Sequence, residues 1–438
     1  MSDPTTNAGQ EATVRDADIT VRVSAAADPA AVRAARLGLL LRALRDGGPR
    51  SRSRLAEETG LTRTVASGLV EELTELGLVS CGDTASRGAG RPGVQVRLVG
   101  GAVCGVGAEI NVDHLAVVAV DLAGSVIAEA RRGIDGRRLP PEEVLDELAG
   151  MVADALAEAR TAGTTVAAIT IGVAGLVDAA TQLVVFAPNL GWRDIDVAAE
   201  VRTRLAAAVP GAPVPAVRVA NEATLAATAE LDPADPDRAD MVVLYGEVGL
   251  GGAVVSGGRV ALGRHGWAGE IGHLQVDLRG RRCGCGRTGC WETVVGLRAL
   301  LEAATDPDDP VRDPALTLEE RLATLVERAR LADGRTLSAL GEVGTWLGTG
   351  AAALVNTLNP GTVVLSGYYA VLGEWLRPAV EARLATDVLA PGSGGTRVTI
   401  SSFGPTAAVR GGALASLEPV LSDPTAIAEL PELHGGAR

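Results

Sequence analysis

Three of the chain's five cysteines, Cys283, Cys285 and Cys290, fall within eight residues, and His273, one of only four histidines, stands ten residues before the first of them. Three thiolates and an imidazole at this spacing make the ligand set of a closed Cys3His zinc site. Four protein ligands leave no position open for water, so the expected zinc is structural rather than a Lewis acid. The competing reading, three packed thiols without metal, is disfavoured by their close spacing. Two carboxylates, Glu270 and Glu292, bracket the segment. Neither fits the thiolate chemistry, so the metal is expected to shape a loop while the carboxylates face a ligand. Against this stands a solvated surface pair, a reading weakened by the rigid loop and by Trp291 beside Glu292. Cys81 and Cys104 have no such company and are expected to pack as small hydrophobes.

A chain of 438 residues positions these groups, enough for two or three domains and an ample core. Nearly half its residues are hydrophobic but only 2% are aromatic, so Ala, Val and Leu must fill the interior. All forty basic residues are arginine, a uniformity given no mechanistic weight. The net charge of −14 argues at first against a nucleic-acid partner, but its distribution argues otherwise. Residues 31–98 carry eleven Arg against seven Asp and Glu, a local +4, while residues 1–30 carry −3 and the remainder −15. A small basic module is attached to a large acidic body. No run approaches the ~20 apolar residues of a membrane span. The polar, acidic N-terminus has neither the basic start nor the apolar core of a signal peptide. With cysteines clustered or lone, a cytoplasmic protein with reduced thiols and no membrane partner is expected.

The basic module has a recognisable order. Residues 1–30 read as a disordered acidic tail. Ala31 to Arg45 repeats Leu37, Leu40, Leu41 and Leu44 at helical spacing and stops at Asp46-Gly-Gly-Pro49. A second helix follows Ser51 as its cap, and Gly60 ends it. Thr62 caps a third helix whose Val65, Leu69, Val70, Leu73 and Leu76 form one apolar side. Leu78-Val79 and Val94–Val99 read as short strands around Arg87-Gly-Ala-Gly-Arg91-Pro92. Helix, helix, turn, helix and a two-stranded wing make a winged helix-turn-helix over residues 31–98. Thr62, Arg63, Thr64 and Ser67 would face a DNA major groove, with Arg87 and Arg91 on the wing near phosphate or the minor groove. The bland alternative is a small helical bundle with solvated arginines.

From Ala102 onward the pattern becomes α/β. Val103–Glu109, Leu115–Asp121 and Val126–Ala130 are β-rich, and about Pro141 to Ala159 is helical by its apolar period. Val166–Val173 is a continuous apolar run, suited to a sheet covered on both faces. Further strands are expected at Met241–Leu244, Gly252–Val255, Thr362–Ser366 and Val398–Ile400, with a closing helix near Ala407–Leu417.

The metal segment with Ala268-Gly-Glu270-Ile-Gly-His273 resembles the signature of the ROK family of repressors, open reading frames and sugar kinases. Gly172-Val-Ala-Gly175-Leu-Val-Asp178, Pro188-Asn-Leu-Gly-Trp192 and Asn356-Thr-Leu-Asn-Pro360 match other family motifs, and the resemblance covers about residues 31–418. It implies a two-lobed, actin-like ATPase (ribonuclease H-like) domain behind the winged head. Lobe 1 would span 102–222, with a helix about 405–418 returning to it, and lobe 2 would span 223–400 with the zinc segment 270–292. It also implies that His273, Cys283, Cys285 and Cys290 hold zinc. Asn221, Glu270, His273 and Glu292 would bond sugar hydroxyls, with Asn189 and Glu222 in the same cleft. Carboxylates and amides suit the many donors of a sugar. His273 would bind metal through one ring nitrogen and a hydroxyl through the other.

The resemblance leaves repressor or kinase to be decided by departures from the kinase pattern. Kinases of this type place Asp as general base after the Asn; here Glu222 stands there. An extra methylene displaces the carboxylate, and errors of ~1 Å cost about a hundredfold. The first phosphate loop should read Asp-x-Gly-Gly-Thr but reads Glu109-Ile-Asn-Val-Asp113. The second should offer Gly-Thr-Gly but reads Gly246-Glu-Val-Gly249, with Glu247 aimed at the same region. Branched side chains and added acids block and repel a nucleotide tail. The expectation is a non-enzymatic, sugar-responsive repressor that binds operator DNA as a dimer or tetramer. Its rivals are an ATP-dependent sugar kinase with a fused DNA-binding head, and an activator or architectural protein with a vestigial cleft.

Overall fold

Asp28 caps the first helix, α1 (Pro29–Gly47), by accepting from the Ala30 amide at 3.1 Å, with Pro29 at the first helical position where a missing N–H is harmless. The structure, a computed structural model, describes residues 28–82, 94–208, 213–313 and 316–430. The expected acidic tail up to residue 27 and the wing arginines Arg87 and Arg91 lie outside the described residues.

A two-residue strand, β1 (Arg50–Ser51), precedes α2 (Arg52–Glu58), and the Ser51 hydroxyl caps α2 through the Arg54 amide at 3.3 Å. Gly60, at φ 68°, turns the chain into α3 (Arg63–Glu75), capped as expected by Thr62 on the Val65 amide at 3.3 Å. Strands β2 (Val79–Gly82) and β3 (Gln95–Leu98) complete an antiparallel sheet in the order β1-β3-β2. The sequence showed two strands of this sheet; β1 is too short to display a period. Cys81 corrects an expectation, because it is exposed, with its sulfur 3.7 Å from an Arg52 nitrogen. Its same-face neighbour Val79 is buried, so the apolar ground beneath the hairpin ends between these two positions. Cys104 is buried, as expected.

The first large sheet is built from β4 (Val103–Ile110), β5 (His114–Asp121) and β6 (Val126–Gly133), then α4 (Pro141–Thr161) and β7 (Thr165–Val173). Short strands β8 (Leu176–Val177), β9 (Val184–Ala187) and β10 (Trp192–Ile195) form a side sheet before α5 (Val197–Ala208), β11 (Ala216–Asn221) and α6 (Glu222–Glu230). The order is β11-β7-β4-β5-β6, with β11, β7 and β4 parallel. The second sheet takes β12 (Met241–Gly246), β13 (Leu250–Ser256) and β14 (Arg259–Val260). Helices α7 (Glu292–Val295), α8 (Leu297–Ala304), α9 (Leu318–Arg330) and α10 (Gly334–Leu358) follow. Then come β15 (Thr362–Gly367), α11 (Tyr368–Val371), α12 (Gly373–Asp387), β16 (Arg397–Ile400) and α13 (Ala407–Ser422). The second order is β14-β13-β12-β15-β16.

Every residue of β4 is buried because both faces of its sheet are covered. Cys104, Val106, Ala108 and Ile110 share a core with Val144, Leu148 and Val152 of α4. By the period of two, Gly105 and Gly107 face the other way, onto α13. A Cβ on Gly107 would lie 1.9 Å from the Val409 carbonyl oxygen, and one on Gly105 would lie 2.0 Å from that of Ala413. Helix α13 approaches α6 as closely, since a Cβ on Gly411 would lie 1.7 Å from the Leu225 carbonyl oxygen. Although α13 follows the last strand of the second sheet, it packs on the first. Its far end carries the head: Leu37, Leu40, Leu41 and Leu44 share one core with Leu417, Val420 and Leu421. Gly38 backs onto the Leu421 carbonyl, where a Cβ would sit 2.2 Å away, and Arg42 pairs with Glu418.

Gly107→Ala forces a methyl into helix backbone and should destabilise by about 3 kcal/mol, the upper end of overpacking costs. Gly68→Ala on α3, where a Cβ meets nothing within 4 Å, should instead gain about 0.5–1 kcal/mol. Urea unfolding of both variants checks the pair, and equal effects would reject the close approach of α13.

Candidate functional site

In the two large sheets, β4, β7, β11 and β12 all end toward one cleft, the place where open α/β sheets bind ligands. Glu109 is the penultimate residue of β4, Asn221 and Glu222 form the β11–α6 junction, and Glu247 follows β12. Opposite them stand the Glu270–His273 turn and the cysteine loop. A cavity of about 270 Å³ lies between, near the ~300 Å³ lower end for small-ligand pockets. Its lining includes Asn189, Asn221, Glu222, Glu270, His273 and Glu292. All six residues named from the sequence for the sugar cleft therefore meet at one cavity.

Their roles are unequal. The Asn221 side-chain oxygen caps α6 by accepting from the amides of Ala223 at 2.9 Å and Thr224 at 3.1 Å. Its amide nitrogen donates to the Gly175 carbonyl at 3.0 Å, so one N–H remains for a ligand. Asn221 thus positions Glu222, the first residue of α6. Glu222 is buried and its Oε2 has no partner. Burial above all, then the nearby Glu109 and Glu247, holds its carboxyl protonated well above the ordinary range.

Residues the sequence did not single out complete this floor. His114 is buried, with Nδ1 2.7 Å from Asp113 and Nε2 3.9 Å from Glu109. Burial opposes its charge, but Asp113 and Glu109 outweigh it and raise the imidazole to about 10. Fully buried Glu109 receives Asn111 Nδ2 at 3.3 Å and the Tyr245 hydroxyl at 3.5 Å. Glu247 is buried with both carboxyl oxygens unpartnered, and burial is the main force that raises it to about 8. The available signal was a rare histidine at the head of an apolar run, directly after Asp113 and five residues after Glu109.

The rim is organised by the cysteine loop. The ligand atoms of His273, Cys283, Cys285 and Cys290 all lie within 4.8 Å of one another. Cys285 and Cys290 sulfurs are 3.7 Å apart, and His273 Nδ1 is 3.7 Å from the Cys283 sulfur. A tetrahedron with metal–sulfur bonds of about 2.3 Å has edges of about 3.8 Å, so the group can hold a four-coordinate metal ion. Burial acts to raise the Cys285 thiol, but the Arg287 amide and neighbouring groups outweigh it and bring it to about 7. His273 turns Nδ1 toward this group and Nε2 toward Glu270, 3.9 Å away, which separates metal-facing from cleft-facing nitrogen. Glu292 accepts from the Cys283 thiol at 2.8 Å. Buried Trp291 anchors the loop: its ring lies where a Cβ on Gly350 of α10 would fall, and its Nε1 donates to the Trp346 carbonyl at 2.9 Å.

The residues named for DNA lie on the head instead of the cleft. Arg63 and Thr64 are exposed at the start of α3, Ser67 is half-exposed and Thr62 serves as the cap. No helix among the described residues is long and apolar enough to cross a membrane.

The ROK family model matches residues 105–418. The chain is 31% identical over 345 residues to the xylose repressor of Bacillus subtilis strain 168, covering 77% of this chain and 83% of that protein. A solved ROK family transcriptional regulator, described as a homologue of the E. coli MLC protein, aligns with TM-score 0.70 at 23% identity. It covers 91% of this chain and 100% of its own, and at that identity it speaks for the fold. A ROK family glucokinase from Streptomyces griseus, solved with glucose and AMPPNP, aligns with TM-score 0.59 at 25% identity. It covers 72% of this chain and 99% of its own, so the regulator shares more of the chain than the kinase does.

The floor makes a pH prediction. Glu247 has a folded pKa of about 8 against ~4.3 for a free glutamate, so its contribution is full below ~4.3 and is lost as pH rises to about 8. Glu247→Gln should leave the melting temperature nearly unchanged at pH 5 and raise it by about 3 °C or more at pH 8. A gap independent of pH would show that the carboxyl is ionised throughout.

Proposed function

The chain belongs to the ROK family, and from that premise we propose that it is a sugar-responsive transcriptional repressor. The observation that carries this reading is the floor of the cleft. Where a kinase of this family would cradle phosphates on glycine amides, this chain has the carboxyls of Glu109 and Glu247, and Glu222 stands where the kinase has its general base. The rim residues suited to hydroxyl groups, Glu270, His273 and Glu292, are retained.

The rival reading, an ATP-dependent sugar kinase with a fused head, needs an ionised Glu222 to take a proton from a hydroxyl. Burial and two neighbouring acids push the Glu222 carboxyl well above the ordinary range, which disfavours the ionised form that a base must supply. With a branched, acidic stretch in place of the phosphate glycines, neither half of phosphoryl transfer is supported.

Three thiolates and an imidazole select zinc among common ions, and it would sit on His273, Cys283, Cys285 and Cys290. The ion supplies rigidity to the loop that presents Glu292 and orients His273. The head reads as a winged helix-turn-helix, with Arg63, Thr64 and Ser67 for base edges and Thr62 for the backbone. Arg87 and Arg91 complete it on the wing. A dimer would set two such helices on half-sites about one helical turn apart.

Coupling between cleft and head follows from packing. Asn221 and Glu222 begin α6, α6 lies against the backbone of α13, and α13 lies against the backbone of α1. Contacts of this kind have no slack, so a shift of α6 on ligand binding displaces the next helix instead of being absorbed. Sugar that binds one arrangement better than the other then changes operator affinity.

Metal analysis of the purified chain should find close to one zinc ion per chain. Cys285→Ser should weaken zinc binding by more than about a hundredfold, since even outer residues cost 10–100-fold; zinc retained at wild-type affinity would remove it from the ligand set. On DNA selected from random sequence, Arg63→Ala should lose about 1–3 kcal/mol and relax sequence preference, with sugar binding intact. Glu270→Ala should keep DNA affinity and lose release by sugar. Fluorescence anisotropy separates the two, and an Arg63→Ala protein of unchanged preference would refute the assigned recognition helix.

A further inference from the structure

The cleft continues past the sugar pocket. Beyond Val112, Asn189, Val248, Gly249 and Glu292, which line both, it opens into a second cavity of about 810 Å³. Seven arginines line that cavity against four carboxylates, in a chain whose net charge is −14. Three of the acids are already engaged. Asp135 pairs with Arg138 at 3.3 Å, and Glu302 pairs with Arg281 and with Arg298 at 2.8 Å. Asp113 holds His114.

Two exposed guanidiniums remain, Arg137 and Arg282, with no ion pair or hydrogen bond among the described residues. They come from opposite sides of the cleft. Arg137 follows β6 of the first sheet, and Arg282 precedes Cys283 in the cysteine loop. The walls beside them are fixed, for Arg312 donates to the carbonyls of Leu301, Glu302 and Thr305.

Charge therefore changes sign along one continuous cleft. The inner floor presents the buried carboxyls of Glu222 and Glu247, which offer an anion no positive charge. The outer end presents guanidiniums in excess. A ligand carrying an oxyanion is driven to the outer end, where planar guanidiniums match tetrahedral oxyanions with paired N–H donors.

We propose that the outer cavity is an oxyanion subsite that takes a phosphate group between Arg137 and Arg282. The site is distinct from the sugar pocket and does not depend on the sugar reading. Since each arginine belongs to a different side of the cleft, a bound phosphate also draws the two sides together.

The test is titration of the full zinc-loaded chain with inorganic phosphate at low salt, by calorimetry and by 31P line width. Wild type should bind one phosphate per chain saturably, with affinity falling as salt rises. Arg137→Ser with Arg282→Ser should lower the affinity at least tenfold. Both side chains are exposed and unpartnered, so the melting temperature should not change. A control, Arg202→Ser with Arg330→Ser, removes the same charge from α5 and α9 and should bind as wild type. Glucose 6-phosphate against inorganic phosphate distinguishes the source: tighter binding of the ester makes the phosphate part of a sugar ligand, and equal binding marks a free-anion site. No saturable binding, or binding that survives the double variant, overturns the proposal.

Discussion

Helix α13 touches everything that matters in this molecule, and it does so backbone to backbone. Gly105 and Gly107 admit it to β4, and its own Gly411 admits it to α6, at distances where any Cβ would collide with a carbonyl oxygen. Close packing of this kind transmits displacement, because side chains that would rotate away are absent. The same helix carries Leu417, Val420 and Leu421 into the core of the head. Cleft, sheet and head are consequently three contacts of one rod.

The floor of the cleft meets a different constraint. Glu109, Glu222 and Glu247 are buried near one another, and His114 is the one buried cationic side chain beside them among the described residues. Burial and repulsion among these acids push the Glu222 and Glu247 carboxyls up, which favours their protonated forms. Their unpartnered oxygens are polar groups awaiting a donor or solvent. The rim, by contrast, takes its form from the cysteine loop, which Trp291 pins under α10 beside Glu292. A floor of raised carboxyls faces an anchored rim.

Much of the fold was legible because its signals are local. Ser51 and Thr62 announce helix starts by bonding amides three residues on, and the alternating small and branched residues of β4 announce a doubly covered strand. The cysteine loop was legible because a closed ligand set needs residues of fixed type within a few positions. Cys81 misled because burial of a hairpin face depends on how far the helices beneath it extend. Asn221 was read as a ligand residue, and its dominant bonds are those of a helix cap, which requires knowing where α6 begins.

The sequence by itself determined many of the elements and the grouping of His273 with three cysteines, since these rest on residue type and short spacing, while the six cleft residues were named through the resemblance to a family. Only the tertiary structure decided that Glu109, Glu222, Glu247 and His114 share one buried site, for they come from four separate strand ends. It alone brought Arg137 and Arg282 to one cavity, and set α1 on α13 across nearly the whole length of the chain. Charges titrate and helices lean according to their neighbours in space, and neighbours in space are what a linear pattern does not contain.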